Sequence, residues 1–330
     1  MKNFRIGSVL LLLVFVSCSL FAFARDWEKH PAYVEVTGAQ RVCAIGDVHG
    51  AFEELASSLS ALKLAKLSST EKFRFDWIGK DSVLVFTGDF NDRGLNTKQV
   101  YDAVIDLQSK AAKAGGQVIV TIGNHEAMLL NGQVENWAKT LTSHKKQHYQ
   151  NTIDSFKRDG LDFHQAISEK GVYGIWIRNL PLFAVVNGYM FVHGGLPKTP
   201  TTKSTLAADY RDSVTRGDYS KGIFMNHDMV MWNRDWWKDD ILVSRNLKVL
   251  GIMGVVFGHT VGALGTKGTI QVKDNRLISI DIGMTPAYGT SSGGGLEILR
   301  TESGNLTFTA FYPDRPVEQL FKIEMPASAY

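Results

Sequence analysis

The chain has 330 residues, of which 44% are hydrophobic, 21% charged and 11% aromatic, a composition that excludes a disordered or collagen-like protein. Its length allows one large domain or two ordinary ones, and its two cysteines cannot form a disulfide scaffold. Lys and Arg number 36 against 33 Asp and Glu, without a charge run, so we expect no nucleic acid partner bound through many phosphate contacts.

Residues 1–24 have the layout of a secretory signal peptide. Lys2 and Arg5 precede a long charge-free apolar stretch that ends in small residues at Ala24. We predict cleavage after Ala24 and a periplasmic or secreted protein, with residues 25–330 forming one domain that has no stable membrane span. Two alternatives stay open: an uncleaved N-terminus that anchors the protein in a membrane, or a lipoprotein attached through Cys18.

Three apolar runs come next, and each ends in polar residues before a helical stretch. These predicted strands are Arg41–Ile45, Ser82–Thr87 and Gln117–Ile122, and the first two are followed by predicted helices at Phe52–Leu64 and about Asn96–Ala114. Continuous apolar strands that alternate with helices indicate a parallel sheet buried on both faces, which binds its ligands at the carboxyl ends of the strands. Cys43 lies within the first run, so we expect a buried and inert thiol.

The remainder of the chain predicts a cap and further short strands. From about residue 131 to 170 the sequence is polar with helical spacing, which indicates a helical cap insertion. The later strands have hairpin-like spacing and suggest a second, more antiparallel sheet packed on the first. They are predicted at Phe183–Val186, Tyr189–Val192, Val255–Phe257, Thr269–Val272, Leu277–Asp281, Leu296–Leu299 and Leu306–Phe311.

Side chains able to bind a metal follow the ends of five predicted strands, each beside glycine. They are Asp47 and His49, Asp89 and Asp92, Asn124 and His125, His193, and His259. A single histidine at a strand end is more often structural than a ligand, but five such segments are explained together only by convergence at one edge of the sheet. Oxygen and imidazole donors without a thiolate suit manganese, iron or zinc.

The ordered motifs GDVHG, GDFNDRG, GNHE, VHGG and GHT, together with MWNRDWW, carry a family resemblance. The chain resembles the calcineurin-like metallophosphoesterases, in particular the phosphoprotein-phosphatase branch and the bacterial Shewanella-like protein phosphatases. Bacterial diadenosine-tetraphosphate hydrolases are near relatives of these. The resemblance implies an α/β fold, a four-layer αββα sandwich with the helical cap inserted, and two divalent metal ions per chain, manganese first and iron or zinc as alternatives.

The resemblance also implies a role for each matching residue. The implied metal ligands are Asp47, His49 and Asp89 for one ion, with Asp89 bridging to a second ion held by Asn124, His193 and His259. His125, oriented by Asp92, would stand beside the leaving-group oxygen. Arg93, Asn124 and Arg234 would bind the phosphate, although Arg234 matches the family pattern only loosely and Asn91 stands where an apolar or small residue is usual.

We therefore predict a phosphatase that hydrolyses phosphate monoesters by direct attack of metal-bound hydroxide. Its substrate is expected to be a phosphoprotein, including phosphotyrosine, or a small phosphate ester. One alternative is a dinucleoside polyphosphate or nucleotide hydrolase of the same fold. Another is a metal-binding pseudoenzyme, against which the presence of both Asp92 and His125 argues. Trp236 and Trp237 either pack in the core or line the mouth of the substrate site.

Overall fold

The computed structural model describes residues 25–142, 144–289 and 292–324. The predicted signal peptide and Cys18 therefore lie outside the described residues. Within those three ranges, no helix is both long enough and apolar enough to cross a membrane.

Strands and helices alternate along most of the described chain. The strands are β1 (Tyr33–Val36), β2 (Arg41–Ile45), β3 (Ala65–Leu67), β4 (Phe75–Trp77), β5 (Val83–Phe86), β6 (Gln117–Val120), β7 (Phe183–Val186), β8 (Tyr189–Val192), β9 (Gly254–Phe257), β10 (Gln271–Lys273), β11 (Leu277–Ser279), β12 (Gly295–Arg300), β13 (Leu306–Phe311) and β14 (Glu318–Ile323). The α-helices are α1 (Phe52–Ala61), α2 (Thr97–Lys113), α3 (Asn124–Leu130), α4 (Gln133–Thr140), α5 (His144–Arg158), α6 (Phe163–Ile167), α7 (Val172–Arg178), α8 (Lys203–Arg216) and α9 (Asp240–Leu250).

The first sheet has the strand order β14-β13-β12-β2-β5-β6. Its strands β2, β5 and β6 pair in parallel, as their apolar sequences predict, and all four side chains of β5 are buried. The second sheet has the order β1-β7-β8-β9-β11-β10, and β3 and β4 form a separate two-stranded sheet. Because β2, β5 and β6 run in the same direction, the loops that follow them leave from one edge.

Two expectations about the second sheet were wrong. Strands β12 and β13, which we assigned to the second sheet, belong to the first, where β12 lies antiparallel to β2. The second sheet is also largely parallel, since β1 pairs with β7, β8 with β9, and β9 with β11 in that sense. Hairpin spacing indicates that two strands pair with each other, but it does not identify the sheet edge to which the hairpin adds.

The two sheets face each other and carry helices on their outer sides. Between them, the ring of Tyr189 on β8 lies 5.0 Å from that of Phe308 on β13, measured between centroids. Helix α2 packs along β6 of the first sheet, and Trp237 stacks on Phe257 of the second. The predicted αββα sandwich is thus confirmed. The region around residues 131–170 contains helices α4, α5 and α6, and α5 packs against α2.

Candidate metal and catalytic site

The backbone turns sharply at several of the candidate site residues. His49, Asp89, Asp92, Arg93 and His259 all have left-handed φ angles, of 47°, 58°, 67°, 68° and 67°. This region is uncommon for residues other than glycine, and it is found preferentially where the surrounding structure imposes it for function. The turns come directly after the strand ends, so they direct the polar side chains toward one another.

Three histidines are oriented by backbone carbonyl groups. His49 donates its Nδ1–H to the carbonyl of Asn91 at 2.7 Å, and His193 donates its Nδ1–H to that of Thr87 at 2.8 Å. His259 donates its Nε2–H to the carbonyl of Trp232 at 3.0 Å. The second nitrogen of each ring is directed toward the carboxylate of Asp89. Metal-binding histidines are fixed in this way, because the carbonyl selects the tautomer.

These second nitrogens lie around the carboxylate of Asp89. Its Oδ2 lies 3.5 Å from His49 Nε2, and its Oδ1 lies 3.3 Å from His193 Nε2. His193 Nε2 is also 2.7 Å from Asn124 Oδ1 and 3.1 Å from His259 Nδ1. Two groups that could hold a metal ion share Asp89, one with His49 and His125 and one with His193 and His259. This buried set of oxygen and imidazole donors fits divalent cations.

The electrostatics around the Asp89–His193 pair favour positive charge. Burial would lower the pKa of His193, but Asp89 and Asp47 raise it to about 9. Burial would raise the pKa of Asp89, but His193 and His125 hold it well below its usual range. A site in which a carboxylate stays ionised and a neighbouring imidazole attracts a proton also attracts a cation.

The carboxylate of Asp47 is held by the backbone of His259. Both of its oxygens accept from the His259 N–H, at 3.1 and 2.9 Å, and burial next to Asp281 raises its pKa. Gly258 permits this approach, because a Cβ atom at that position would overlap Asp47 Oδ1. Among the described residues, His125 rather than Asp47 groups with His49 and Asp89. The Asp47 carboxylate thus lies against the backbone of His259, and its role as a metal ligand stays a prediction.

His125 and Asp92 form a hydrogen-bonded pair at the side of this site. His125 Nδ1 lies 2.5 Å from Asp92 Oδ2, and its Nε2 lies 3.8 Å from Asp89 Oδ2. Thr152 of the cap helix α5 accepts from the Asp92 N–H and donates to Asp92 Oδ1, both at 2.8 Å. An imidazole oriented by a fixed carboxylate can hold a proton on its other nitrogen and deliver it to a reacting oxygen.

Two arginines lie on opposite sides of the ligand clusters. Arg93 Nη1 is 2.8 Å from His49 Nδ1 and 3.1 Å from His125 Nε2, so its guanidinium reaches into the site. Arg234, whose match to the family pattern is loose, is exposed and donates to the carbonyl of His259 at 2.9 Å. Planar guanidinium groups at these places could bind phosphate oxygens.

Sequence reasoning did not identify Glu126 and Asp281. Glu126 is fully buried, and its carboxylate accepts three backbone hydrogen bonds. The donors are the N–H groups of Asp89, Phe90 and Gly123, at 2.9, 2.8 and 2.9 Å. Burial and the neighbouring Asp89 raise the pKa of Glu126 to about 7. Asp281 is buried beside Asp47, and burial raises its pKa to about 6. Glu126 is the last residue of the GNHE motif, so the sequence contained a pattern that could have indicated it. Asp281 lies in none of the motifs.

Trp236 and Trp237 do not line a mouth. Their exposed fractions are 2% and 5%, and both rings pack on Phe257. The indole N–H of Trp236 donates to the carbonyl of Gly194 at 2.8 Å, close to His193. The packing interpretation of this pair is therefore the right one.

Comparison with known proteins yields one family. The sequence model described as "Calcineurin-like phosphoesterase" matches residues 40–263, more than half of the chain. Shewanella-like protein phosphatase 2 of Arabidopsis thaliana is 26% identical over 305 residues, which cover 79% of this chain and 75% of that protein. Shewanella-like protein phosphatase 1 of Plasmodium berghei is 31% identical over 175 residues, which cover 52% of this chain and 43% of that protein. The predicted resemblance to these phosphatases is confirmed.

Solved structures share this architecture, and one of them serves as an example. It is described as a cold-active protein-tyrosine phosphatase of a psychrophile Shewanella species, and it superimposes with a TM-score of 0.67 at 22% identity. The match covers 88% of this chain and 84% of that one. At that identity, the likeness establishes the fold alone.

Proposed function

The chain belongs to the calcineurin-like phosphoesterase family, and we propose that it is an exported phosphatase that hydrolyses phosphate monoesters, above all phosphotyrosyl peptides. The observation on which this rests is the His125–Asp92 pair beside two ligand groups that share Asp89. A protein that only stored metal would need neither member of the pair.

The two ligand groups define what the bound cations would do. Two divalent ions held there would lower the pKa of a bound water into the neutral range and balance the negative charge of the phosphate. The residues that would hold them are Asp47, His49, Asp89, Asn124, His193 and His259. The carbonyl partners of the three imidazoles keep those rings in place. We propose manganese as the native metal, with iron or zinc as alternatives, because oxygen and imidazole donors without a thiolate suit these three ions.

The remaining residues divide the work of hydrolysis. Arg93 binds the phosphate oxygens from the side of His125, and Arg234 binds them from the side of His259. His125 holds a proton on Nε2 while Asp92 fixes its Nδ1. The oxygen of a water joins phosphorus and that water releases one proton to solvent, while the ester P–O bond breaks. The proton of His125 passes to the departing oxygen, and solvent then restores the proton on His125. This is a single in-line displacement, so a chiral phosphate should be inverted; net retention of configuration would contradict it.

Support for a protein substrate comes from the relatives that are named protein phosphatases and from the solved structure named a protein-tyrosine phosphatase. Support for export comes from residues 1–24. If that segment is a cleaved signal peptide, N-terminal sequencing of the exported protein should begin at Arg25. A sequence that begins at Met1 in a membrane fraction would favour an anchor.

The activity is tested with purified residues 25–330 stripped of metal by a chelator. Added Mn²⁺ should restore hydrolysis, and a panel of phosphotyrosyl peptide, phosphoseryl peptide, small phosphate esters and diadenosine tetraphosphate identifies the substrate class. Preference for the phosphotyrosyl peptide is the expected result. Equal turnover of all monoesters would favour a scavenging role. Symmetric cleavage of the tetraphosphate would favour a nucleotide hydrolase. Activity that resists the chelator would contradict metal-dependent hydrolysis.

The role of His125 is tested with His125→Asn. We expect turnover to fall roughly 10²–10⁴-fold while metal content is retained. The loss should be larger for alkyl phosphates than for p-nitrophenyl phosphate, because a nitrophenolate leaves without needing a proton. The matched control is His164→Asn in helix α6, since the His164 side chain is 71% exposed. Equal activity of the two variants would refute the assignment.

A further inference from the structure

A cavity of about 300 Å³ opens beside His125 on the side of the cap helix. Its lining combines Asp92, Arg93 and His125 of the catalytic site with Lys145, His148 and Tyr149 of α5. The cavity has the size of a small ligand pocket. It is also the space next to the imidazole that protonates the departing oxygen, so a leaving group would occupy it.

The cap residues of this pocket lie on a single face of α5. Positions 145, 148, 149 and 152 are three or four residues apart, which places their side chains on the same side of a helix. Thr152, at the end of this row, holds Asp92. The row therefore runs from the catalytic aspartate out to an exposed lysine, Lys145.

Helix α5 is fixed to the phosphate-binding arginine. The Arg93 N–H donates to the carbonyl of His148 at 2.9 Å, and the Asn151 side-chain amide donates to the carbonyl of Arg93 at 2.8 Å. These two bonds and the Thr152 contacts set the distance between the pocket wall and the site. These contacts hold the α5 wall of the pocket at a fixed place beside the catalytic residues.

The side chains of the wall would suit a leaving group that has an aromatic ring and carries a negative charge. Tyr149 offers a half-buried ring for stacking, and Lys145 adds positive charge at the outer end, beyond Arg93. The one carboxylate of the lining, Asp92, is already engaged by His125 and Thr152. A second negative group on the substrate would lie near the ammonium of Lys145 at the outer end.

We propose that α5 forms a leaving-group pocket in which Lys145 selects phosphotyrosyl peptides that carry an acidic residue beside the phosphotyrosine. This inference rests on the proposed function, since it names the peptide class that the same site prefers. Lys145 is here a specificity residue, which contacts the substrate away from the reacting atoms.

The test compares two phosphotyrosyl peptides that differ only in Glu or Gln at the flanking positions, with metal-loaded protein at low ionic strength. The wild type should favour the Glu peptide in kcat/KM, about 2- to 5-fold, the range expected of an exposed ion pair. Lys145→Glu should reverse the preference and Lys145→Gln should abolish it. Lys146→Glu, the neighbouring exposed lysine outside the pocket lining, makes the same charge change and should leave the ratio unaltered.

A second substrate pair removes the peptide backbone from the comparison. Between 4-carboxyphenyl and 4-carbamoylphenyl phosphate, the preference for the carboxylate should follow the same order across variants and shrink with added salt. Thermal melting checks that each variant is folded. The proposal is overturned if the wild type hydrolyses the Glu and Gln peptides with equal kcat/KM, or if Lys145→Glu and Lys146→Glu show the same ratio of these values. Failure to hydrolyse any peptide overturns the proposed function instead.

Discussion

Glu126 supports the backbone of Asp89, a proposed metal ligand, and contacts no solvent. Its Oε2 accepts from the Asp89 and Gly123 N–H groups, and its Oε1 accepts from the Phe90 N–H. In Glu126→Gln, the amide oxygen can accept from one side only. The amide NH₂ then faces an N–H donor, so at least one buried backbone donor loses its partner.

The cost follows from that lost partner. A buried unsatisfied donor costs about 1–3 kcal/mol, and in a domain of this size each kcal/mol lowers Tm by roughly 2–4 °C. Glu126→Gln should therefore melt about 2–12 °C below the wild type. Glu126→Ala, which leaves all three donors unpaired and adds a cavity, should melt lower still.

The substitution should also weaken metal binding. Because Glu126 fixes the backbone that carries Asp89, its loss should reduce metal affinity or activity about 10- to 100-fold, as is usual for residues that support metal ligands. Titrating Mn²⁺ into stripped protein while recording activity measures this. The control is Glu302→Gln, the same chemical change on an exposed turn, which should stay within about 0.5 kcal/mol of the wild type. Unchanged Tm and metal dependence in Glu126→Gln would refute the reasoning.

Three further variants or treatments test individual contacts. Gly258→Ala should displace the carboxylate of Asp47 and lower activity and metal content by atomic analysis, whereas Gly251→Ala, with no atom within 4 Å of the added Cβ, should change stability alone. Cys43 should not react with a thiol reagent in the folded protein, because burial raises its pKa to about 12, and rapid native labelling would contradict its position. Thr152→Val removes both contacts to the catalytic aspartate, so kcat should fall about 10- to 100-fold with metal content unchanged; equal kcat would show that α5 does not orient the pair.

The sequence alone predicted the strand-and-loop units at the centre of the first sheet. The apolar runs of β2, β5 and β6 could be identified because parallel strands buried on both faces have almost no polar residues. Glycine-flanked polar residues at the ends of β5 and β8 then indicated Asp89 and His193 as members of one site. These are local signals, because they depend on burial and on the shape of single turns.

The tertiary structure decided what depends on residues far apart in the chain. Strand β12 pairs with β2 across about 250 residues, and no periodicity within either strand encodes that choice of partner. Asp47 faces the His259 amide, and Asp92 is held by Thr152 from a cap helix 60 positions away. Residue types and turns follow from local sequence, but the direction of a buried side chain depends on which distant donor or acceptor satisfies it.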